Sequence, residues 1–354
     1  MGNRNWSTLT VGLVLMWVTG CVDEIHDGSY VITSKKDLKE IFEQSDKSYS
    51  ITGNLIIQDS GLTDLKGLGK LTRLGGSLHI KDNAGLTSLA GLEQLRLIEG
   101  FLHIEGNGRL ADLSGLSGLE GVHGFIRIER NESLASLAGL GNLSRLQGSL
   151  HLERNGRLAK LVGLGPVRHI EGDLRLERND SLVDLGGLGQ VQSLEGDLHI
   201  ERNDALVNLS GLEQLRRIEK NVFLVRNGAL ANLRGLDSLR AVEGSVHIER
   251  NEILADLAGL GQLETIEGRL VLSGNAHLTQ VDALQGLKRI SGGLYVGGEV
   301  GGNIALAQVR GLSRLELVGG SLIIVGNPVL DSASVQMLQE KWVDGGLGEQ
   351  VNIK

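Results

Sequence analysis

Asp173-Leu174-Arg175-Leu176-Glu177-Arg178-Asn179, followed by Leu182, Leu185, Gly187, Leu188, Val191, Leu194 and Gly196, is one turn of a repeat that decides the fold. Its asparagine returns every 24 residues, at Asn83, Asn107, Asn131, Asn155, Asn179, Asn203, Asn227, Asn251 and Asn275. A fixed period of that length marks a stack of similar units rather than a core with one centre. Leu174 and Leu176 alternate with Arg175 and Glu177, which is the period of a half-buried strand. The later leucines come every three residues, a spacing that suits a 3₁₀ turn or a tight corner better than a full helix. Gly100, Gly124, Gly148, Gly172, Gly196 and Gly244 close successive units and are expected to turn the chain into the next strand at positive φ. Lys220 interrupts that series.

The pattern extends in both directions. Asp59 lies one period before Asn83, with Leu55 and Ile57 in the strand places. Asn327 follows Asn303 by 24, but Asn303 follows Asn275 by 28, so four residues are inserted around Gly297 to Gly302. The expected fold is an all-β-dominated solenoid of about 12 rungs, roughly 55–60 Å long at the ~4.8 Å spacing of paired strands. Terminal rungs need lids. Ser34 to Glu43 reads as a short amphipathic helix with Ser34 as N-cap. Ser332 to Trp342 reads as a second, with Val335, Leu338 and Trp342 on one face. Phe42 and Trp342 place scarce aromatics at the two ends. The resulting boundaries are a leader over 1–20, a tether over 21–30, an N-terminal cap over 31–50, the solenoid over 51–327 and a C-terminal cap over 328–354.

The L-x-L-x-x-N strand and its asparagine column resemble the leucine-rich repeat superfamily. The receptor L-domain-like variant is the nearer match, carried by Gly148-Ser149-Leu150-His151-Leu152-Glu153-Arg154-Asn155 and by Leu158 to Ile170. The resemblance covers residues 50–330. It implies a right-handed parallel β-helix-like stack used as a binding ectodomain, and it brings no catalytic residues. Animal receptor L domains carry disulfides, whereas this chain has one cysteine, Cys21. Receptor-type ligand binding is therefore not carried over.

Of 354 residues, 52 are glycine and 2 proline, which fits a turn-rich stack. Aromatics make up 3%, too few for extended stacking platforms on sugars or bases. With a formal charge of −8, that composition argues against a nucleic-acid partner. The amino terminus is a separate unit. Arg4 precedes the mostly apolar stretch Val11 to Val18, which is too short to span a bilayer. Val18-Thr19-Gly20-Cys21 resembles a bacterial lipobox, in which the cysteine is lipidated and becomes the first residue. A lone cysteine without a disulfide partner suits that role. The alternative is an ordinary secretory signal with a chance cysteine. Lipidation at Cys21 would tie the chain to a membrane surface. Val22, rather than Asp, at the next position goes with outer-membrane sorting in such lipoproteins. The expected location is the bacterial cell envelope, at the outer membrane.

Outward strand positions form columns. One reads His79, His103, Arg127, His151, Arg175, His199, Phe223, His247, and the next Lys81, Glu105, Glu129, Glu153, Glu177, Glu201, Val225, Glu249. Arg130, Arg154, Arg178, Arg202, Arg226 and Arg250 run beside them. Glutamates ~4.8 Å apart repel by somewhat under ~1 kcal/mol in bulk water, and more where water is partly excluded. The arginines offset this. Two readings follow: a solvated, self-neutralising face, or a binding strip centred on His151, Glu153, Arg154, Arg175, Glu177, Arg178, His199, Glu201 and Arg202. Histidines beside glutamates could also titrate near neutral pH. His151, His199 and His247 lie two rungs apart, or ~9–10 Å, too far for one zinc ion, so neither metal nor cofactor is expected. Phe223 and Tyr295, with Val225, Val271 and Ile323, interrupt the charge and form a candidate apolar contact. The asparagines themselves point inward and are structural.

Glycoside hydrolysis needs two carboxylates about a groove, one of them with a raised pKa. Here the acids are regular and arginine-paired, and no G-x-S-x-G, phosphate loop or H-E-x-x-H occurs. The expectation is a non-catalytic envelope lipoprotein whose solenoid binds a protein or a glycan. The rival is a passive structural or self-associating surface element, and a polysaccharide-acting β-helix enzyme is a remote third.

Overall fold

A computed structural model describes residues 23–41, 46–298, 301–343 and 351–353. The leader, Cys21 and Phe42 lie outside the described residues. The chain winds into a parallel β-solenoid. One long sheet holds 14 strands in chain order, from Tyr30–Ile32 through Leu55–Gln58 to Leu322–Val325 and Val351–Ile353. Equivalent residues lie in register, as in Leu174↔Leu198, Arg175↔His199 and Glu177↔Glu201. A second face carries shorter parallel strands in a five-stranded and a seven-stranded sheet. Some corners are the expected 3₁₀ turns, at Lys66–Leu68, Ser114–Leu116, Asp282–Gly286 and Arg310–Leu312. Leucines from every rung pack into one continuous buried column. Each contributes about 1.5–3 kcal/mol of burial, but only while a neighbouring rung covers it.

The asparagines sit inside the stack, fully buried from Asn83 to Asn303. Asn179 shows the pattern. Its backbone N–H donates to Asn203 Oδ1 at 3.0 Å, and its Nδ2 donates both to that oxygen at 3.4 Å and back to the Leu152 carbonyl at 2.9 Å. One side chain thus joins three rungs. Asp59 does not take this place in the first full rung. Leu55 pairs with Leu78, an offset of 23 rather than 24, so Ser60 stands opposite Asn83. Ser60 N–H and Oγ both donate to Asn83 Oδ1, at 3.1 and 2.7 Å. A serine starts the ladder because it needs to satisfy one neighbour only.

The closing glycines also differ from expectation: none of Gly100, Gly124, Gly148, Gly172, Gly196 or Gly244 has positive φ. They are small because successive rungs touch there. A Cβ on Gly148 would lie 2.7 Å from the Gly124 backbone. A regular series of left-handed glycines lies instead in the middle corner, as at Gly187 with φ 122°.

Both ends are closed. Residues 24–32, expected as tether and early cap, supply the parallel strands Glu24–His26 and Tyr30–Ile32, paired with Tyr49–Ile51 and Leu55–Gln58. The helix Lys35–Ile41 follows, with Ser34 Oγ accepting from the Asp37 N–H at 3.3 Å. Buried Leu38 packs on the backbone at Gly67. At the other end the helix Ser332–Leu338 is capped by Asp331 and runs into a π-helical turn, Gln339–Val343. Leu338 is buried and Val335 half-buried. Val351–Ile353 then adds a last strand on Leu322–Val325.

Asn203→Ala strips the acceptor from the buried Asn179 N–H and the donor that reaches the Leu176 carbonyl at 2.8 Å. At ~1–3 kcal/mol for each buried group left unpaired, the variant is expected to lose about 2–6 kcal/mol in urea unfolding. A loss no larger than a surface substitution gives, about 0.5 kcal/mol, would contradict the ladder's structural role.

Candidate functional site

The long sheet brings His151, Glu153, Arg175, Glu177, His199 and Glu201 onto one face in register. Their surroundings are less wet than the sequence suggests. Side-chain exposure is 6% for Glu129, 12% for Glu153 and 18% for Glu177. Flanking imidazoles and guanidiniums cover the carboxylates. Arg127 Nη2 lies 2.8 Å and His103 Nε2 2.9 Å from opposite oxygens of Glu129. Arg154 and Arg178 both reach Glu153 Oε1 at 3.3 Å. Arg202 and Arg226 share Glu201 Oε1 at 3.2 and 3.4 Å, and His199 takes its other oxygen at 3.2 Å. Arg175 lies 3.7 Å from Glu177. The strip neutralises itself, as one of the two sequence readings has it.

Burial works against ionisation of Glu129, but the hydrogen bonds from His103 and Arg127 outweigh it and hold the carboxyl below its usual range. Desolvation, then the Arg127 charge, pushes the His151 imidazole below its ordinary value, against the pull of Glu177, Glu153 and Glu129. His79 is pushed the same way by burial and by His103 and Lys81. These two histidines are therefore neutral at neutral pH.

Arg154, Arg178 and Arg202 belong to a column at the turn after each strand, and this column is strained. Arg130, Arg154, Arg178, Arg202, Arg226 and Arg250 all hold φ between 53° and 55°. That left-handed conformation costs a residue with a Cβ roughly 1–2 kcal/mol. Gly106 and Gly274 occupy the same place in other rungs at φ 68° and 69°. Exposed ion pairs return only about 0.2–1 kcal/mol. Glycine would relieve the strain but add roughly 0.5–1 kcal/mol of backbone entropy cost, so folding alone favours neither residue strongly. From Arg154 to Arg250 the column forms one wall of a groove of about 980 Å³. Glu132, Asp180, Asp204 and Glu252 line it as well.

The two apolar candidates do not share a patch. Phe223 sits between His199 and His247, with ring centres 5.4 and 5.1 Å away. Tyr295 lies three strands further along the sheet, in a separate hollow. Other features escape the sequence reading. Phe101 and Phe125 stack at 4.5 Å, with Phe125 39% exposed. A second polar ladder also runs up the strand entrances: Ser149 Oγ accepts from the Asp173 N–H, Asp173 Oδ1 from Asp197, and Asp197 Oδ1 from Asn221, each at 2.9 Å. Serine, aspartate and asparagine do the same work there, so no single letter repeats. His103, Glu105 and Glu129, and likewise His151, Glu153 and Glu177, bring ligand atoms within 4.8 Å of one another. Counting only histidine spacings misses these mixed sets. Arg127 and Arg130 already occupy Glu129 and Glu105, and Arg154 and Arg178 occupy Glu153.

Neither protein-family models nor curated proteins give a match to this chain. No helix among the described residues is long and apolar enough to cross a membrane.

The depressed histidines set a pH dependence. Below the unfolded value of 6.5 the unfolded chain binds protons that folded His79 and His151 refuse, so stability falls as pH drops toward their folded values. Glu129 stabilises fully above its unfolded value of 4.5 and loses that contribution as pH falls through its lower folded value. The urea midpoint of the wild type is expected to drop between about pH 7.5 and about pH 5.5, and His151→Gln to flatten the slope. A wild-type midpoint unchanged across that window would refute the assignment.

Proposed function

We propose that this chain is a non-catalytic binding module of the bacterial cell envelope, lipid-anchored at Cys21 and built on receptor L-domain-like leucine-rich repeats. Its ligand is an extended protein or glycan held along the arginine groove. The observation that carries this reading is the left-handed arginine column. Six successive rungs keep a strained arginine where glycine fits with less strain, and five of those arginines line one groove. Solenoids present such long surfaces to partners. Arg154, Arg178 and Arg202 lie in the groove, with His151, Glu153, Arg175, Glu177, His199 and Glu201 as the supporting face. Glu129, held below the usual carboxylate range, is a poor general acid, in keeping with a module that does no chemistry.

The self-neutralised strip also supports a second reading, a passive or self-associating surface element. The triple variant Arg178→Gly, Arg202→Gly, Arg226→Gly separates the two. It relieves strain while adding the flexibility of glycine, so folding stability is expected to stay within about 1 kcal/mol of wild type. Saturable capture of an envelope component by the full-length chain is expected to be lost with it. Undiminished capture would remove the groove from the account, and concentration-dependent growth in light scattering without any captured partner would favour self-association.

The anchor has its own test. Cys21→Ser is expected to abolish fatty-acid labelling and move the chain from the detergent phase to the aqueous phase. Continued labelling of that variant would rule out Cys21 as the anchor.

A further inference from the structure

The charged face fails at three consecutive strands, Leu270–Ser273, Leu294–Gly297 and Leu322–Val325. Where earlier rungs place His or Arg, these place Val271, Tyr295 and Ile323. Where earlier rungs place Glu, they place Ser273, Gly297 and Val325. Two successive small residues in the glutamate column leave space above the sheet. The result is a hollow of about 690 Å³, bounded by Val271, Tyr295, Ile323 and Val325 with Arg269 and Asn352 at its polar edge. That volume lies in the range of small-ligand sites, roughly 300–1,000 Å³.

The cation at this hollow differs from those of the strip. Arg127 and Arg175 each contact a glutamate. Arg269 instead lies over the Tyr295 ring, its guanidinium carbon 5.9 Å from the ring centre. Among the described residues no acid pairs with it. The half-buried Tyr295 ring, with aliphatic neighbours, presents a surface that takes the C–H face of a sugar ring. An unpaired guanidinium takes a carboxylate in a bidentate contact. The exposed Asn352 amide supplies both a donor and an acceptor for hydroxyls. A purely aromatic acid leaves that amide unused, and a neutral sugar leaves Arg269 unmatched.

We infer that the Tyr295 hollow is a subsite for one hexuronic-acid residue of an anionic glycan, with the sugar ring on Tyr295 and its carboxylate on Arg269. The site is separate from the arginine groove, and each can fail alone.

Titration of the full-length chain in detergent with a galacturonate trisaccharide, and with its methyl ester, tests this by calorimetry. The acid is expected to bind. The ester, and the acid on Arg269→Gln, are expected to bind about tenfold or more weakly, the usual effect of losing a charge-assisted hydrogen bond. Tyr295→Ala is expected to abolish binding while its thermal midpoint stays at the wild-type value. Arg178→Gly with Arg226→Gly is expected to leave binding intact. The inference is overturned if wild type binds neither compound, if acid and ester bind equally, or if only the groove variant loses affinity. Should Tyr295→Ala misfold, the comparison of ester with acid on wild type decides alone.

Discussion

Everything in this molecule hangs on a buried amide that serves three rungs at once. Each interior asparagine accepts at its oxygen from a backbone N–H of the rung before it and donates from its nitrogen to a strand carbonyl of that rung, as Asn203 does with Asn179 and Leu176. The turn that buries the asparagine otherwise strands backbone N–H groups away from water, at about 1–3 kcal/mol each. With those groups satisfied, leucines above and below can close on one another. In the regular rungs the same turn places a left-handed residue immediately before the asparagine. The ladder therefore fixes where Arg154, Arg178 and Arg202 stand, and with them the edge on which a groove can form. Fold and candidate surface share one cause.

Repetition creates an electrostatic problem and then solves it. Identical carboxylates stacked at strand spacing repel, more strongly once partly shielded from water. Glu153, at 12% exposure, is held by two arginines from its own and the next rung. Such pairing makes the central strip stable and leaves it few free charges with which to grip a partner. The informative positions are those that depart from this economy: arginines that accept strain, and an Arg269 that pairs with no acid among the described residues. The proposed groove and hollow rest on these departures, whereas others, such as Ser60, serve the ladder itself.

The solenoid was legible because Asn and Leu recur at a strict period and no other residue serves as well in those buried places. Its exceptions were hidden by chemistry that tolerates substitution. Ser60 replaces asparagine at the ladder's first step, so counting by 24 lands on Asp59, which takes the left-handed place instead, at φ 46°. The strand-entrance ladder mixes Ser149, Asp173 and Asp197, each accepting from the equivalent N–H of the next rung, and so shows no repeated letter. Gly148 was readable as small, but the reason was contact with Gly124 rather than turn geometry. Strands at 24–32 and 351–353 are short and fall outside the repeated motif, although Ile32 and Ile353 join or pack against the core. Of the site, the columns of charge were readable. The strain in the arginine column and the separation of Phe223 from Tyr295 required the winding of the chain.

The most direct measurement of the ladder's role is native-state hydrogen exchange at the asparagine backbone amides. These N–H groups bond to side chains rather than to a strand partner, so they report on the ladder alone. Protection is expected to be high and nearly uniform from Asn107 to Asn275, and to decline toward Ser60 and Asn327. Rapid exchange at the interior asparagines, beside protected amides in the flanking strands, would show that the leucine core and strand pairing hold the stack without the ladder.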